Sequence, residues 1–140
     1  TGGGCNHRSG LWDMILIKDT HIAVLAKATG LPREGAVEEA VRRARAKGGG
    51  LPVEIEVKNL AEAVAGYRAG ADIIMFDNAD PADVQQFARV RRRDRPVLVE
   101  WSGGVTIDAL RWIRRLPVDR VSMGALTHSA PALDFSLEIS

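Results

Sequence analysis

Lys18 closes a short apolar run, Met14-Ile15-Leu16-Ile17, and the chain crowds His7, Arg8 and His21 around that run. An unbroken apolar segment of this length fits a strand buried on both faces, and the charge then lies at its C-terminal end. In a parallel α/β sheet or barrel that end is where ligands bind, so Lys18 reads as a site residue. Polar residues recur at the same position along the chain: Glu56 in Val53-Glu54-Ile55-Glu56-Val57, Asp77 after Asp72 to Phe76, Glu100 with Ser102 in Val97 to Ser102, and Ser122 in Arg120 to Met123. Strand alternation sets Val53, Ile55 and Val57 against Glu54 and Glu56, and Val97, Val99 and Trp101 against Glu100 and Ser102. Carboxylates facing a barrel lumen are costly without cations, so a lysine, a metal ion or a charged ligand must lie near them. A solvent-exposed strand face is the other reading of the two glutamates, and a strand-ending turn that of Asp77-Asn78.

Two late glycine clusters offer a second chemistry. Ser102-Gly103-Gly104 and Gly124-Ala125-Leu126-Thr127-His128 read either as plain turns or as phosphate loops. Barrel enzymes commonly hold phosphate on backbone N–H groups after the last strands and on a following helix N-terminus, where His128 could donate to a phosphate oxygen. Gly2-Gly3-Gly4 reads as a flexible connection, because no Lys-Ser/Thr follows to make a P-loop.

The elements that must position these side chains alternate. Ala36, Val37, Ala40, Val41 and Ala44 form one stripe of a helix from Glu34 to Lys47 that stops at Gly48-Gly49-Gly50. Asn59 is an N-cap with Glu62 three residues on, for a helix ending at Gly70. Asp80-Pro81 starts a helix through about Arg93, and Thr106 caps one carrying Leu110, Ile113 and Leu116. Strand and helix repeating in this way predict right-handed βαβ units and a parallel sheet. The fold class is α/β, an incomplete (open) parallel barrel of TIM-like units, since five strands cannot close a barrel that takes eight strands and ~250 residues. Residues 1–132 form this partial barrel, and 133–140 carry a terminal strand, alternating over Leu133 to Ile139, that pairs elsewhere.

With 140 residues, 46% hydrophobic and 26% charged, the chain can bury a core as one domain. A formal charge of +1 offers no basic face to nucleic acid or membrane. The arginine clusters Arg42-Arg43, Arg91-Arg92-Arg93 and Arg114-Arg115 read as solvated residues late in helices, complementing the helix dipole. The single Cys5 leaves no disulfide framework and suggests a reducing, cytoplasmic compartment; no signal peptide or membrane-length run is visible. The start at Thr1, inside a Gly-rich stretch, reads as a cut, so the chain is expected to be a fragment of a longer one.

His7-Arg8-x-Gly10-Leu11-x-Asp13-x-x-Leu16-Ile17-Lys18-Asp19-x-His21-Ile22, Glu54-x-Glu56-Val57, Phe76-Asp77-Asn78, Glu100-x-Ser102-Gly103-Gly104 and Gly124-Ala125-Leu126-Thr127-His128-Ser129 occur in this order. Together they closely resemble the quinolinate phosphoribosyltransferase family, also called nicotinate-nucleotide pyrophosphorylase (carboxylating), over nearly the whole chain. The resemblance implies an N-terminal sandwich domain followed by an open α/β barrel, of which this chain matches the later part. It implies a pentosyltransferase of NAD biosynthesis: quinolinate and phosphoribosyl pyrophosphate give nicotinate mononucleotide, pyrophosphate and CO2, with Mg2+. By that resemblance His7, Arg8 and Lys18 bind the quinolinate carboxylates, Lys18, Glu56 and Asp77 are catalytic, and Glu56 and Asp77 hold ribose hydroxyls and the metal. Ser102, Gly103, Gly104, Gly124 and His128 hold the 5′-phosphate. The implied partners are these two small molecules and a second copy, in a homodimer or higher homo-oligomer.

Trp101 and Lys58 depart from the family pattern, which has a small residue at the first position and usually an acidic or small one at the second. The family's Arg-Lys strand motif and its partner-subunit arginine lie before the point where this chain begins, so the chain alone is expected to be inactive. Two further classes stay open: a paralogous type II phosphoribosyltransferase of the molybdate-uptake-associated kind, and a degenerate, non-catalytic phosphate-binding domain.

Overall fold

Five strands pair in parallel in the order in which they occur along the chain: β1 (Ile15–Ile17), β2 (Val53–Val57), β3 (Ile73–Asp77), β4 (Leu98–Ser102) and β5 (Arg120–Val121). The computed structural model describes residues 2–92 and 94–139. Helices α1 (Asp19–Thr29) and α2 (Arg33–Lys47) join β1 to β2, while α3 (Leu60–Ala69), α4 (Pro81–Val90) and α5 (Leu110–Ile113) make the later crossovers. α6 (Ala125–His128) follows β5. Spatial order equal to sequence order is what successive βαβ units produce, so the expected open parallel α/β sheet is present.

The core lies between one face of this sheet and the helices. Val53, Ile55 and Val57 of β2, Ile74 and Phe76 of β3, and Val99 and Trp101 of β4 pack with Val37 and Val41 of α2, Tyr67 of α3, and Val84 and Phe87 of α4. Phe87 meets Tyr67 and Phe76 edge-on, with ring centroids 5.8 Å apart in each case. The period of two then leaves Glu54, Glu56, Met75 and Glu100 on the opposite face. Gly66 lets α3 lie close against the sheet, because a Cβ there would stand 2.9 Å from Ile55 Cγ2 and 3.2 Å from Ile74 Cδ1.

Local chemistry sets the helix ends. The Asn59 side chain accepts from Glu62 N at the start of α3, and the Asp80 side chain accepts from Ala82 N ahead of Pro81 in α4. Glu62 does not complete a capping box. Its carboxylate accepts from Lys58 N at 3.0 Å and meets Arg33 Nε at 2.5 Å, which balances an acid left 1% exposed.

Several sequence expectations need correction. The helix α1 is an addition to the expected elements: Ile22 is fully buried and Gly30 ends the helix in the left-handed region, φ 71°. α4 stops at Val90, short of the expected Arg93, which lies outside the described residues. The chain turns there because Arg92 N donates to Tyr67 Oη at 3.0 Å. Arg91 and Arg92 therefore lie beyond the helix and pair with Asp119 and Asp94. Arg42 and Arg43 lie inside α2 and pair with Glu39, and Arg114 is the C-cap of α5. The strand expected over Arg120 to Met123 keeps only two residues. Among the described residues Leu133 to Ile139 pair with none of the five strands and expose Leu133, Phe135, Leu137 and Ile139. Among the described residues no helix is long and apolar enough to cross a membrane.

Removing the ring that ties three elements together tests this core. Phe87→Ala is expected to cost about 3–5 kcal/mol in urea unfolding. Val24→Ala, at a position 70% exposed on α1, should stay within about 0.5 kcal/mol of wild type.

Candidate functional site

Register decides which side chains meet on the polar face. Leu16 lies opposite Glu54, Glu56 opposite Met75, Met75 opposite Glu100, Asp77 opposite Ser102, and Glu100 opposite Arg120. Lys18, Glu56, Asp77 and Ser102 thus all stand at the C-terminal ends of their strands, with Glu54 and Glu100 one level deeper.

The deeper level is a cluster that the sequence does not announce. Glu54 is fully buried and Glu100 is 1% exposed. His7, from the loop before β1, places Nε2 3.0 Å from Glu54 Oε2, 3.2 Å from Glu54 Oε1 and 3.4 Å from Glu100 Oε1. Proximity is not satisfaction, however: the ring N–H aligns with Oε1, and Glu54 Oε2 has no hydrogen-bond partner. The Ser122 hydroxyl donates to Glu100 Oε1. Burial pushes the Glu54 carboxyl above its ordinary range, the nearby Glu100 charge pushes the same way, and His7 opposes both.

At the mouth, burial again raises Glu56, reinforced by Asp77 and Asp19 and opposed by Lys18 and Lys58. Lys58 Nζ lies 2.8 Å from Asp19 Oδ2, a hydrogen bond that lowers Asp19 and raises Lys58. Lys18 is exposed, and its backbone N–H donates to His21 Nδ1 at 2.9 Å, so His21 caps α1 and is not part of the mouth. Asp77 is braced from the next residue. Asn78 Nδ2 donates to Asp77 Oδ2 at 3.1 Å, while Asn78 N donates to Ser102 O at 3.1 Å. Asn78 itself takes φ 49°, and its side chain fills the space over Gly103, where a Cβ would come within 2.4 Å of Asn78 Cγ. Gly103, at φ 90°, is therefore required by backbone and neighbour alike, and Gly104, at φ 56°, by its backbone alone.

Two cavities divide the named residues. One of about 1090 Å³ is lined by His7, Arg8, Glu100, Arg120, Ser122 and Gly124, among others. Lys18, Glu56, Asp77, Ser102, Gly103, Gly104 and His128 are not on its wall. His128 instead sits over Gly124 and contacts Ser129 Oγ through Nδ1 at 2.7 Å. A second cavity, about 450 Å³, opens toward the N-terminal strand ends between Arg8, Asp13, Arg45, Asp72 and Arg120. His7 and Arg8 line both cavities, while Lys18 keeps to the mouth. The structure thus groups Lys18, Glu56 and Asp77 electrostatically, and it sets His7 against the deeper carboxylates.

A family described as quinolinate phosphoribosyl transferase, C-terminal domain, matches residues 1–138. The chain is similar to the nicotinate-nucleotide pyrophosphorylase [carboxylating] of Homo sapiens, 41% identical over 99% of this chain and 44% of the relative. The Rattus norvegicus protein of the same name is 40% identical over the same shares. Among solved structures, NadC from Streptococcus pyogenes superposes with a TM-score of 0.80 at 39% identity, over 98% of this chain and 45% of that one. A thiamine phosphate pyrophosphorylase from Pyrococcus furiosus, 16% identical with a TM-score of 0.54, shares the fold. The chain spans about half the length of the curated relatives it matches.

Two measurements probe the site's construction. A carboxyl held above its unfolded value of 4.5 contributes stability that is present below that pH and is lost as pH rises through the folded value. With a chelator present, the urea midpoint should therefore fall as pH rises above 4.5, and Glu54→Gln should flatten that slope. Gly103→Ala should cost about 1–2 kcal/mol for the left-handed backbone and shift the Asn78 amide resonance. An unmoved Asn78 signal would contradict the packing described here.

Proposed function

Because the chain belongs to the quinolinate phosphoribosyl transferase family through its C-terminal domain, we propose that it supplies the catalytic mouth for phosphoribosyl transfer to quinolinate, in the cytoplasm, within a homo-oligomer. The observation that carries this reading is the meeting of Lys18, Glu56 and Asp77 at the C-terminal ends of three adjacent parallel strands. Lys18 and Arg8 meet the two pyridine carboxylates as cationic donors, and His7 offers them its Nδ1 side, since Nε2 faces Glu54 and Glu100. Ser102, Gly103 and Gly104, with Gly124 and His128, hold the 5′-phosphate, where backbone N–H groups freed by positive φ suit an anion.

The residues present fit a hard divalent cation. Glu56 and Asp77 are carboxylates on neighbouring strands, and burial followed by the Asp77 charge raises Glu56. Mg2+ held there would neutralise diphosphate charge as it develops. The protein's own part is positioning. Glu56 and Asp77 fix the ribose hydroxyls while the C1′–oxygen bond to pyrophosphate breaks and the pyridine nitrogen bonds to C1′. The C2–carboxylate bond then breaks, CO2 leaves, and the electron pair left on C2 takes a proton.

Nicotinate mononucleotide formation by a form of the protein extended to its relatives' full length tests this reading. Lys18→Ala and Asp77→Ala should each lower kcat/KM by at least ~100-fold, the scale of losing one electrostatic contact to the transition state. Wild-type turnover of nicotinate in place of quinolinate, or near-full activity in either variant, would overturn it.

A further inference from the structure

We propose that His7 Nε2, Glu54 and Glu100 form a second divalent-cation site of the zinc or manganese type, beneath the mouth and separate from Glu56 and Asp77. One donor atom from each of these three residues lies within 4.8 Å of the other two. The imidazole stands 3.0 Å from Glu54 Oε2 and 3.4 Å from Glu100 Oε1. Those spacings bracket the ligand-to-ligand edge of about 3.3 Å that a tetrahedral ion with ~2.0–2.1 Å bonds requires. The imidazole thus already stands at ligand spacing from each carboxylate.

The cluster also lacks what would otherwise satisfy it. Two carboxylates, one fully buried and one 1% exposed, share a single imidazole that can offer at most one N–H from Nε2. Glu54 Oε2 is left buried with no hydrogen-bond partner, a cost that a cation removes. Arg120 lies opposite Glu100 in register, yet among the described residues it forms no ion pair with either carboxylate. Ser122 donates to Glu100 Oε1 and so orients one carboxylate from outside the cluster, as groups behind metal ligands do. The 1090 Å³ cavity reaches His7, Glu100 and Ser122, which gives an ion a path in and leaves a coordination position open to water or an anionic oxygen.

The donor set selects the metal class. One nitrogen with two carboxylates suits Zn2+ or Mn2+, whereas Mg2+ prefers oxygen donors and keeps its waters. Three protein ligands with an open position match the composition of catalytic more than of structural zinc sites.

Calorimetric titration of EDTA-stripped protein with ZnCl2 and MnCl2 tests the site, with Co2+ absorption as the report on imidazole ligation. One tightly bound Zn2+ per chain is expected, any ion at Glu56 and Asp77 being weaker, and Glu54→Gln and His7→Ala should each weaken tight Zn2+ binding at least 100-fold. Ser122→Ala should weaken it ~10-fold. Glu56→Gln and Cys5→Ser should leave it unchanged. Absence of saturable binding overturns the inference and leaves a proton shared between the two glutamates. Loss of binding in Glu56→Gln with retention in Glu54→Gln places the ion at the mouth, which also overturns the inference while favouring the proposed function. Loss confined to Cys5→Ser overturns it as well. Should Glu54→Gln fail to fold, His7→Ala decides alone, because His7 lies on a loop outside the core; unchanged affinity there sinks the site.

Discussion

Period two of a parallel strand, run through a sheet with helices on one side only, is the constraint from which the rest follows. It sends Ile55, Ile74, Phe76, Val99 and Trp101 into the core and turns Glu54, Glu56 and Glu100 to the other side. In β2 all five residues are buried, so the acids gain no solvent by facing away from the helices. A buried carboxylate without compensation costs several kcal/mol or takes up a proton. Each one must therefore be matched by a cation, a donor or a proton, and the polar face is the record of how that matching is met.

Matching is uneven between the two levels. At the mouth the Lys58–Asp19 pair removes one carboxylate from competition, so that Lys18 is left to act on Glu56. The pairing gives Lys58 its physical role at the mouth. Both members of the pair are partly exposed, 51% and 33%, so its effect is to set local charge more than to hold the fold. Deeper in, among the described residues His7 alone touches both buried glutamates, and Ser122 serves just one of them.

How much of this was legible in the sequence depends on whether periodicity or distance carries the information. β2, β3 and β4 were readable because alternation and turn residues mark them, and α3 and α4 because Asn59, Gly70 and Asp80-Pro81 punctuate them. α1 was not, because it begins without a Ser, Thr, Asn or Asp cap side chain, using Lys18 N and the His21 ring instead. It also buries only Ile22, so its stripe is faint. The convergence of Lys18, Glu56, Asp77 and Ser102 on one strand end could be foreseen from strand position alone. The cluster of His7 with Glu54 and Glu100 could not, since His7 sits on a loop with no period and meets Glu54 across 47 residues of chain. The role of Gly103 was likewise hidden: it accommodates Asn78, whose unusual φ no pattern announces.

Charge counting then links the two levels to the anionic ligands proposed for them. Lys18, Lys58 and the charge of Arg33 face Asp19, Glu56 and Asp77 at the mouth, and His7 with the charge of Arg120 faces two glutamates below, so at neither level do fixed cations exceed acids. Such a balance leaves Lys18 and Arg8 little surplus charge with which to hold a pyridine dicarboxylate or a diphosphate unless further positive charge enters with it or ahead of it. Backbone N–H groups at Gly103 and Gly104 contribute partial charge only. A divalent ion at either level would make the local balance positive, and where two acids oppose one imidazole it would do so without displacing an existing ion pair to lysine or arginine. The carboxylates of this face therefore make its hold on anions depend on cation occupancy.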